Sequence, residues 1–300
     1  VYDLVGRLTD VKLNGSTVSA VQYEYNKLSQ RIRAIYSNGT ITNYRYDLQG
    51  NCISIEHKFA SEEVQFGYRY DALRQVVASD VSNPIYAWSP VTTAAVNYGA
   101  ANSLNQYPIV AGQAYAYNSN GCLTSNGAWT FAYGAFNELI SATSPSASVL
   151  FSCDPYGRQV QKQVGAVKTG YVYAGYQRIA EYDNNSGSLT RRFVYGATLD
   201  ELALTVSSSG VIQFVSHDLV GSAIATTDGS GAIVNRCSYS PWGESANVDA
   251  MPVGFTGQRF DVETGLYYFK TRYYDPSTGR FLQPDILQYA SSFNSYQYAK

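Results

Sequence analysis

Tyr44-Arg45-Tyr46-Asp47-Leu48-Gln49-Gly50-Asn51-Cys52-Ile53 sets out a pattern: aromatic, any residue, tyrosine, aspartate, two residues, glycine, polar, any, aliphatic. Aromatics at i and i+2 lie on one face of a strand, because strand side chains alternate. An Asp or Asn next starts a turn by bonding its own backbone two residues on, and Gly supplies the positive φ that the turn requires. The polar and aliphatic residues that follow begin a returning strand. The stretch reads as strand, tight turn, strand.

Copies run along the chain. Tyr68-Arg69-Tyr70-Asp71 and Tyr115-Ala116-Tyr117-Asn118-Ser119-Asn120-Gly121 are close ones, and Tyr23-Glu24-Tyr25-Asn26, Phe131-Ala132-Tyr133, Phe151-Ser152-Cys153-Asp154, Tyr171-Val172-Tyr173, Phe193-Val194-Tyr195 and Ser238-Tyr239-Ser240 are looser. The second aromatic position falls at 2, 25, 46, 70, 117, 133, 153, 173, 195 and 239, at intervals of 23, 21, 24, 47, 16, 20, 20, 22 and 44. Two intervals are near double the rest, so the period is about twenty residues, the mark of a repeat architecture. No single unit can bury its aromatic face alone, so units must stack side by side into a long, twisting sheet. Between copies, Asn14-Gly15, Asn38-Gly39 and Asn126-Gly127 predict type I′ hairpin turns.

Composition agrees. The 300 residues include 28 Tyr and 25 Gly but 1 Met and 2 His, and charged residues make up 15%. Tyr favours strands and Gly the turns between them, which points to an all-β chain. A net charge of −2 gives no basic field for a nucleic-acid backbone, and no apolar run approaches the length of a membrane-spanning helix. Cys52, Cys122, Cys153 and Cys237 are widely spaced and read as small buried hydrophobes. The first residues, Val1-Tyr2-Asp3-Leu4-Val5-Gly6-Arg7-Leu8, are the middle of a repeat, so a piece of a longer protein is expected.

These units resemble the YD repeats of Rhs proteins, of the C components of insecticidal toxin complexes, and of teneurins. Most telling is the tail, where Phe255-Thr256-Gly257-Gln258-Arg259-Phe260-Asp261-Val262-Glu263-Thr264-Gly265-Leu266-Tyr267-Tyr268 runs on to Arg272-Tyr273-Tyr274-Asp275-Pro276-Ser277-Thr278-Gly279-Arg280-Phe281-Leu282-Gln283-Pro284-Asp285. That segment is similar to the Rhs-repeat-associated core, and His217-Asp218-Leu219-Val220-Gly221-Ser222 resembles the block preceding it. The expectation is an all-β fold of YD-repeat hairpins stacked in a continuous spiral sheet, forming part of a hollow shell. Residues 1–210 are expected to form the repeat shell, with 211–300 as the associated core, continuous with the shell and stopping before a cleavage motif.

Several residues invite chemistry. His217, Asp218 and Ser222 have the types of a hydrolase triad, but no GxSxG elbow exists and adjacent strand residues face opposite ways, so a hairpin corner is expected. His57 and His217, without a carboxylate cluster between them, predict no metal site. Gly229-Ser230-Gly231 reads as a strand turn rather than a phosphate loop. The resemblance also implies an aspartyl autoprotease that frees a C-terminal toxin. Such chemistry needs two carboxyl groups close enough to share a proton. The position the family uses for one of them is Asp285, followed here by Ile286 where the family commonly has Pro. Asp275, before Pro276, is a weaker candidate and reads better as a turn residue, and Arg280 is the nearest ion-pair partner for Asp285.

The expected function is structural: a shell that encloses a C-terminal toxin and carries it to a competing or host cell. The implied partners are that toxin, the N-terminal part of the shell, and a delivery machine such as a secretion spike or other toxin-complex components. Nucleic acid and membrane spans are not expected, and no cofactor is implied. The resemblance implies a bacterial cytoplasmic stage before export, then secretion or delivery, with display on the cell surface as the alternative. The rival functions are a teneurin-like adhesion or carbohydrate-binding surface, for which stacked tyrosines would serve, and a self-cleaving enzyme.

Overall fold

Strand Ile41–Tyr46 leads into the turn that the repeat predicts and returns as strand Cys52–Lys58. Asp47 N–H donates to Asn51 O at 3.0 Å, and Gly50 N–H to Asp47 O at 3.2 Å. The Asp47 carboxylate accepts from the Gln49 and Asn51 amides at 2.9 and 2.8 Å. The same four bonds recur at Asp71 and Asp154. Gly50, Gly121 and Gly157 supply the left-handed residue, with φ of 87°, 83° and 76°. Where a unit lacks that glycine, Ser29 and Arg74 adopt φ of 61° and 62° regardless. The aspartate dictates the turn, and the glycine only makes it easy. The computed structural model describes residues 1–13, 15–90, 95–287 and 293–298.

The two aromatics of a unit do share a face, and the residue between them (Glu24, Arg45, Arg69, Ala132, Val172) is exposed. The second aromatic has a further duty. Tyr25, Tyr46, Tyr70, Tyr133, Tyr173 and Tyr239 each donate their hydroxyl to a backbone carbonyl of the preceding unit: Leu8, Arg31, Cys52, Leu123, Gln159 and Ala223, at 2.7 to 2.9 Å. Five of those carbonyls belong to the first residue of a returning strand. Each hydroxyl therefore clamps the open end of a strand pair, the end that would otherwise fray. This explains why Phe appears at the first aromatic position, at Phe131, Phe151 and Phe193, while the second is Tyr. Cys153 departs from the pattern and cannot make the clamp.

Two of the three predicted hairpin turns are corrected. At Asn38-Gly39 and Asn126-Gly127 only the glycine has positive φ (85° in both), whereas a type I′ turn needs both residues there. The asparagine side chain is the reason: Asn38 Oδ1 accepts from Thr40 N, and Asn126 Oδ1 from Ala128 N and Trp129 N, which holds the residue right-handed. Asn14 lies outside the described residues.

The chain forms two units, each discontinuous in sequence. One comprises 1–89, 191–240 and 245–257, the other 90–190, 241–244 and 258–300. In the first, seven strands from Asp10–Lys12 to Val76–Val81 pair in chain order, all antiparallel. Strands Leu202–Ser207, Ile212–His217, Ala223–Thr227 and Ile233–Arg236 also pair in order. The two layers bury a shared core: Val21, Tyr23 and Tyr36 meet Leu204 and Phe214, and Val64, Phe66 and Tyr86 meet Ile224 and Ala225. Each large apolar side chain so covered contributes about 1.5–3 kcal/mol.

In the second unit, strands from Ala116–Tyr117 to Gln177–Asp183 pair in order, and a four-stranded sheet runs from Arg259–Asp261 to Arg280–Phe281. Leu123, Phe131, Leu139 and Phe151 from the repeats pack against Leu266, Tyr268, Tyr273 and Leu282 from the tail. Apart from three short 3-10 turns, the regular structure of the described residues is all β. Among those residues no helix is long and apolar enough to cross a membrane. All four cysteines are free; Cys122 and Cys237 are buried as expected, but Cys52 and Cys153 are only half-buried.

Candidate functional site

The tail block owes its doubled tyrosines to the two faces of its sheet. Tyr267 and Tyr274 oppose each other in register, as do Tyr268 and Tyr273. Tyr267 and Tyr274 are fully buried and donate to the carbonyls of Gly243 and Trp242 at 2.9 and 2.7 Å. Tyr268 and Tyr273 point the other way, into the core shared with the repeats.

Asp275 ends a tail strand and makes a turn. Its carboxylate accepts from the Ser277 amide and hydroxyl at 2.9 and 2.6 Å, and Gly279 N–H closes back on Asp275 O at 2.9 Å. Burial raises the Asp275 pKa. Asp285 is held differently. One oxygen accepts from the Leu287 amide at 2.8 Å, and the other pairs with Arg272 Nη2 at 3.1 Å. The ion pair expected from Arg280 is thus made by Arg272, which reaches Asp285 while lying 3.7 Å over the Phe281 ring. Arg280 instead sits between the rings of Tyr107 and Tyr296, at 4.8 and 5.1 Å, and donates to Asn105 O. Among the described residues no hydrogen bond joins Asp275 to Asp285.

The block at 217–222 is a corner. His217 directs Nε2 at Leu202 O (2.9 Å) and Nδ1 at Gly221 O (3.0 Å), so neither nitrogen faces Ser222. Asp218 accepts from the Val220 and Ser222 amides, and Ser222 Oγ accepts from Thr256 N at 3.1 Å. Burial pushes the Asp218 carboxyl up to about 6. His57 is buried on the neighbouring layer, bonded through Nδ1 to Thr42 Oγ1 at 2.9 Å, and burial pushes it down to about 3 with His217 adding to the shift. The groups at 228–231 form another repeat turn, with Asp228 accepting from Ser230 N and Ala232 N.

The teneurin YD-shell family profile matches residues 1–300. The chain belongs to that family. Among curated relatives, the tRNA nuclease WapA of Bacillus subtilis (strain 168) is 29% identical over 271 residues, covering 87% of this chain and 10% of its own length. The probable deoxyribonuclease RhsA of Dickeya dadantii is 24% identical, covering 99% of this chain and 22% of its own. Mouse Teneurin-3 is 23% identical, covering 95% and 11%. The YD-shell fold is shared with the Photorhabdus luminescens Tc holotoxin pore, at TM-score 0.69 and 17% identity over 99% of this chain and 19% of that one. The crystal structure of TcdB2-TccC3 gives TM-score 0.69 and 17% identity, over 99% and 20%. The chain spans a small fraction of these relatives.

Within this YD-shell chain, two charged clusters lie outside anything the sequence pointed to. Lys162 Nζ bridges Asp261 at 2.8 Å and Glu263 at 2.6 Å, and Thr264 Oγ1 donates to the other Asp261 oxygen at 2.8 Å. Burial raises the Asp261 pKa, while its hydrogen bond to Asp261 and the Lys162 ammonium lower that of Glu263. The second is Arg31 with Glu201, 2.6 Å apart and both largely buried, the guanidinium lying against the rings of Tyr23 and Tyr44 at 5.2 and 4.7 Å. Asp-Val-Glu in the tail was a visible signal for the first, but its lysine lies a hundred residues away in sequence. Nothing local marked the second.

Proposed function

We propose that this YD-shell chain is a stretch of wall that encloses a C-terminal toxin and accompanies it to a target cell. It belongs to a family of Rhs-type and toxin-complex shells; the enclosed cargo is the proposal. The observation carrying it is the clamp that ties each repeat to the one before it, by a tyrosine hydroxyl on a backbone carbonyl. Strands that pair in chain order, each tied to the one before, leave few free edges for unwanted pairing. The names of the relatives, a tRNA nuclease and a probable deoxyribonuclease, suit a nuclease cargo in the longer protein. Production in the bacterial cytoplasm followed by export, with a secretion spike or toxin-complex partner as carrier, belongs to the same proposal. Limited proteolysis of the natural protein tests it: a C-terminal domain digested as fast as the same domain made alone refutes enclosure.

Self-release enters through Asp285, held in place by Arg272 and available to a second carboxyl group from further along the natural chain. Asp285→Asn should leave the natural protein uncleaved, and unchanged processing removes this role. The teneurin likeness supports a second reading, adhesion, under which this region alone should bind a cell-surface partner saturably.

A further inference from the structure

Lys162 reaches two carboxyl groups at once: its Nζ lies 2.8 Å from Asp261 Oδ1 and 2.6 Å from Glu263 Oε2. All three residues belong to the second unit, yet Lys162 sits in strand Gln159–Val164 of the repeats and Asp261 ends strand Arg259–Asp261 of the tail. The Lys162 and Asp261 side chains are 19% and 7% exposed. Buried pairs elsewhere use arginine, as at Arg31–Glu201 and Arg178–Glu181, and a guanidinium stays charged. A lysine amine, by contrast, becomes a nucleophile once it gives up a proton. Asp261 offers it an electrophile, because burial and the hydrogen bond to Glu263 favour the acid form of its carboxyl. Burial works against the charges on Glu263 and Lys162, but hydrogen bonds and attraction within the cluster outweigh it and keep both ionised. Acid, carboxylate and ammonium together are neutral, so a proton passing from Lys162 to Glu263 leaves no net charge behind. It also removes an ion pair whose burial is costly. Thr264 Oγ1 donates to Asp261 Oδ2 at 2.8 Å, where negative charge builds when Cγ is attacked.

We propose that Lys162 and Asp261 join through an intramolecular amide bond, with Glu263 as the proton carrier. A nitrogen 2.8 Å from one oxygen of a carboxyl group stands beside its carbon, and attack proceeds from a separation of about 3–3.5 Å. Glu263 takes a proton from the ammonium, and the freed electron pair of Nζ attacks Asp261 Cγ while Thr264 supports the charge on Oδ2. Glu263 then passes its proton to Oδ1 and takes a second one from the nitrogen. The Nζ–Cγ bond forms, the Cγ–Oδ1 bond breaks, and Oδ1 leaves as water. Ammonium, acid and carboxylate thus become an amide, a water molecule and the acid form of Glu263, and no other reactant is needed. The bond spans 99 residues of sequence and ties the tail sheet to the repeats, a restraint on the unfolded chain that grows with loop length. It is independent of any cargo or route of delivery.

The test is tryptic peptide mapping by mass spectrometry on the natural protein, purified and incubated at neutral pH. The expected result is a branched peptide that joins the segments carrying Lys162 and Asp261. Its mass should be lower than their sum by one water, and trypsin should not cut after Lys162. Glu263→Gln, shown to be folded by its urea midpoint, should form the branch about a hundredfold more slowly or worse, the effect of losing a general base. Lys162→Arg should not form it at all. Trypsin cutting fully after Lys162, with no branched peptide from the unaltered protein, overturns the proposal without recourse to any variant. A branch made by Glu263→Gln at the unaltered rate, or one running through Glu263 in place of Asp261, overturns the assigned chemistry.

Discussion

Replacing Tyr70 by Phe removes one oxygen and nothing else. That oxygen donates to Cys52 O at 2.7 Å, at the end where strands Cys52–Lys58 and Glu63–Tyr70 part. The ring and its packing remain, so the change isolates the clamp. A typical hydrogen bond contributes about 0.5–1.5 kcal/mol net, and a buried carbonyl left without its donor costs about 1–3 kcal/mol. Tyr70 is half-buried, so water can reach the freed carbonyl in part, and about 1 kcal/mol is expected. Tyr46→Phe should cost the same through Arg31 O, bonded at 2.9 Å. The clamps sit at successive strand pairs without a shared partner, so Tyr25→Phe, Tyr46→Phe and Tyr70→Phe together should cost about 3 kcal/mol. Urea titration followed by circular dichroism reads these differences as shifts in midpoint at constant slope. Tyr156→Phe is the control, since Tyr156 is 72% exposed at a turn tip. If the triple variant unfolds with Tyr156→Phe and wild type, the hydroxyls are ornaments of packing and the clamp argument fails.

Four further outcomes follow from individual contacts. Arg74→Gly should stabilise by about 0.5–1 kcal/mol, because a left-handed φ of 62° strains a side-chain-bearing residue; a lower urea midpoint would contradict this. Gly196→Ala should destabilise by about 1–3 kcal/mol, since its Cβ would meet Tyr23 Oη at 2.5 Å and the Glu201 carboxyl at 2.8 Å; an unchanged midpoint would show that both give way. Arg31→Gln should cost about 3–5 kcal/mol by leaving Glu201 buried and unpaired, and Arg31→Met with Glu201→Leu should recover much of it in a double-mutant cycle. His57 is held neutral, about 3 in the fold against 6.5 in the unfolded chain, so its contribution is complete above pH 6.5 and is lost as pH falls toward 3. At pH 5 that loss is about 2 kcal/mol, and His57→Gln should flatten the slope of stability between pH 6.5 and 4.5.

The repeat was legible because it is local. Asp47, Gly50 and the aromatics at 44 and 46 lie within one strand and its turn, and each acts on a backbone only a few residues away. That is why the turns at Asp71 and Asp154 could be read from the same phrase even where glycine was missing. The hairpin turns at Asn38-Gly39 and Asn126-Gly127 were misjudged for an equally local reason, the asparagine side chain bonding forward. The clamp left a trace too: Phe is admitted at the first aromatic position while the second is Tyr, which only a hydroxyl can explain. What the sequence could not show was contact across layers. Arg280 is five residues from Asp285 and Arg272 thirteen, yet Arg272 makes the pair, because the choice is made by rings, Phe281 guiding one guanidinium and Tyr107 and Tyr296 holding the other. Tyr107 belongs to no copy of the repeat.

The unit at Phe151-Ser152-Cys153-Asp154 shows how far the clamp can be separated from the turn. Its turn is intact, with Asp154 accepting from Tyr156 N and Arg158 N, and the strands still pair through Cys153 opposite Gln159. Yet a thiol cannot reach the carbonyl that a tyrosine hydroxyl would. Two devices compensate there: Arg158 is ion-paired with Asp154 at 2.6 Å and lies over the rings of Tyr156 and Tyr173, at 5.2 and 5.3 Å. The arginine thus ties the turn to the following unit, whereas the tyrosine ties it to the one before. In a stacked wall each unit is stabilised chiefly by its neighbours, so either direction of attachment serves. Arg7, the equivalent residue of the first turn, likewise pairs with Asp3 and lies over the Tyr25 ring as Arg158 lies over Tyr173. Both tyrosines keep their clamps, to Leu8 O and Gln159 O, so removing either arginine should cost about the same. Arg158→Gln and Arg7→Gln compared by urea titration decide it, and a clearly larger loss at one turn would refute the equivalence.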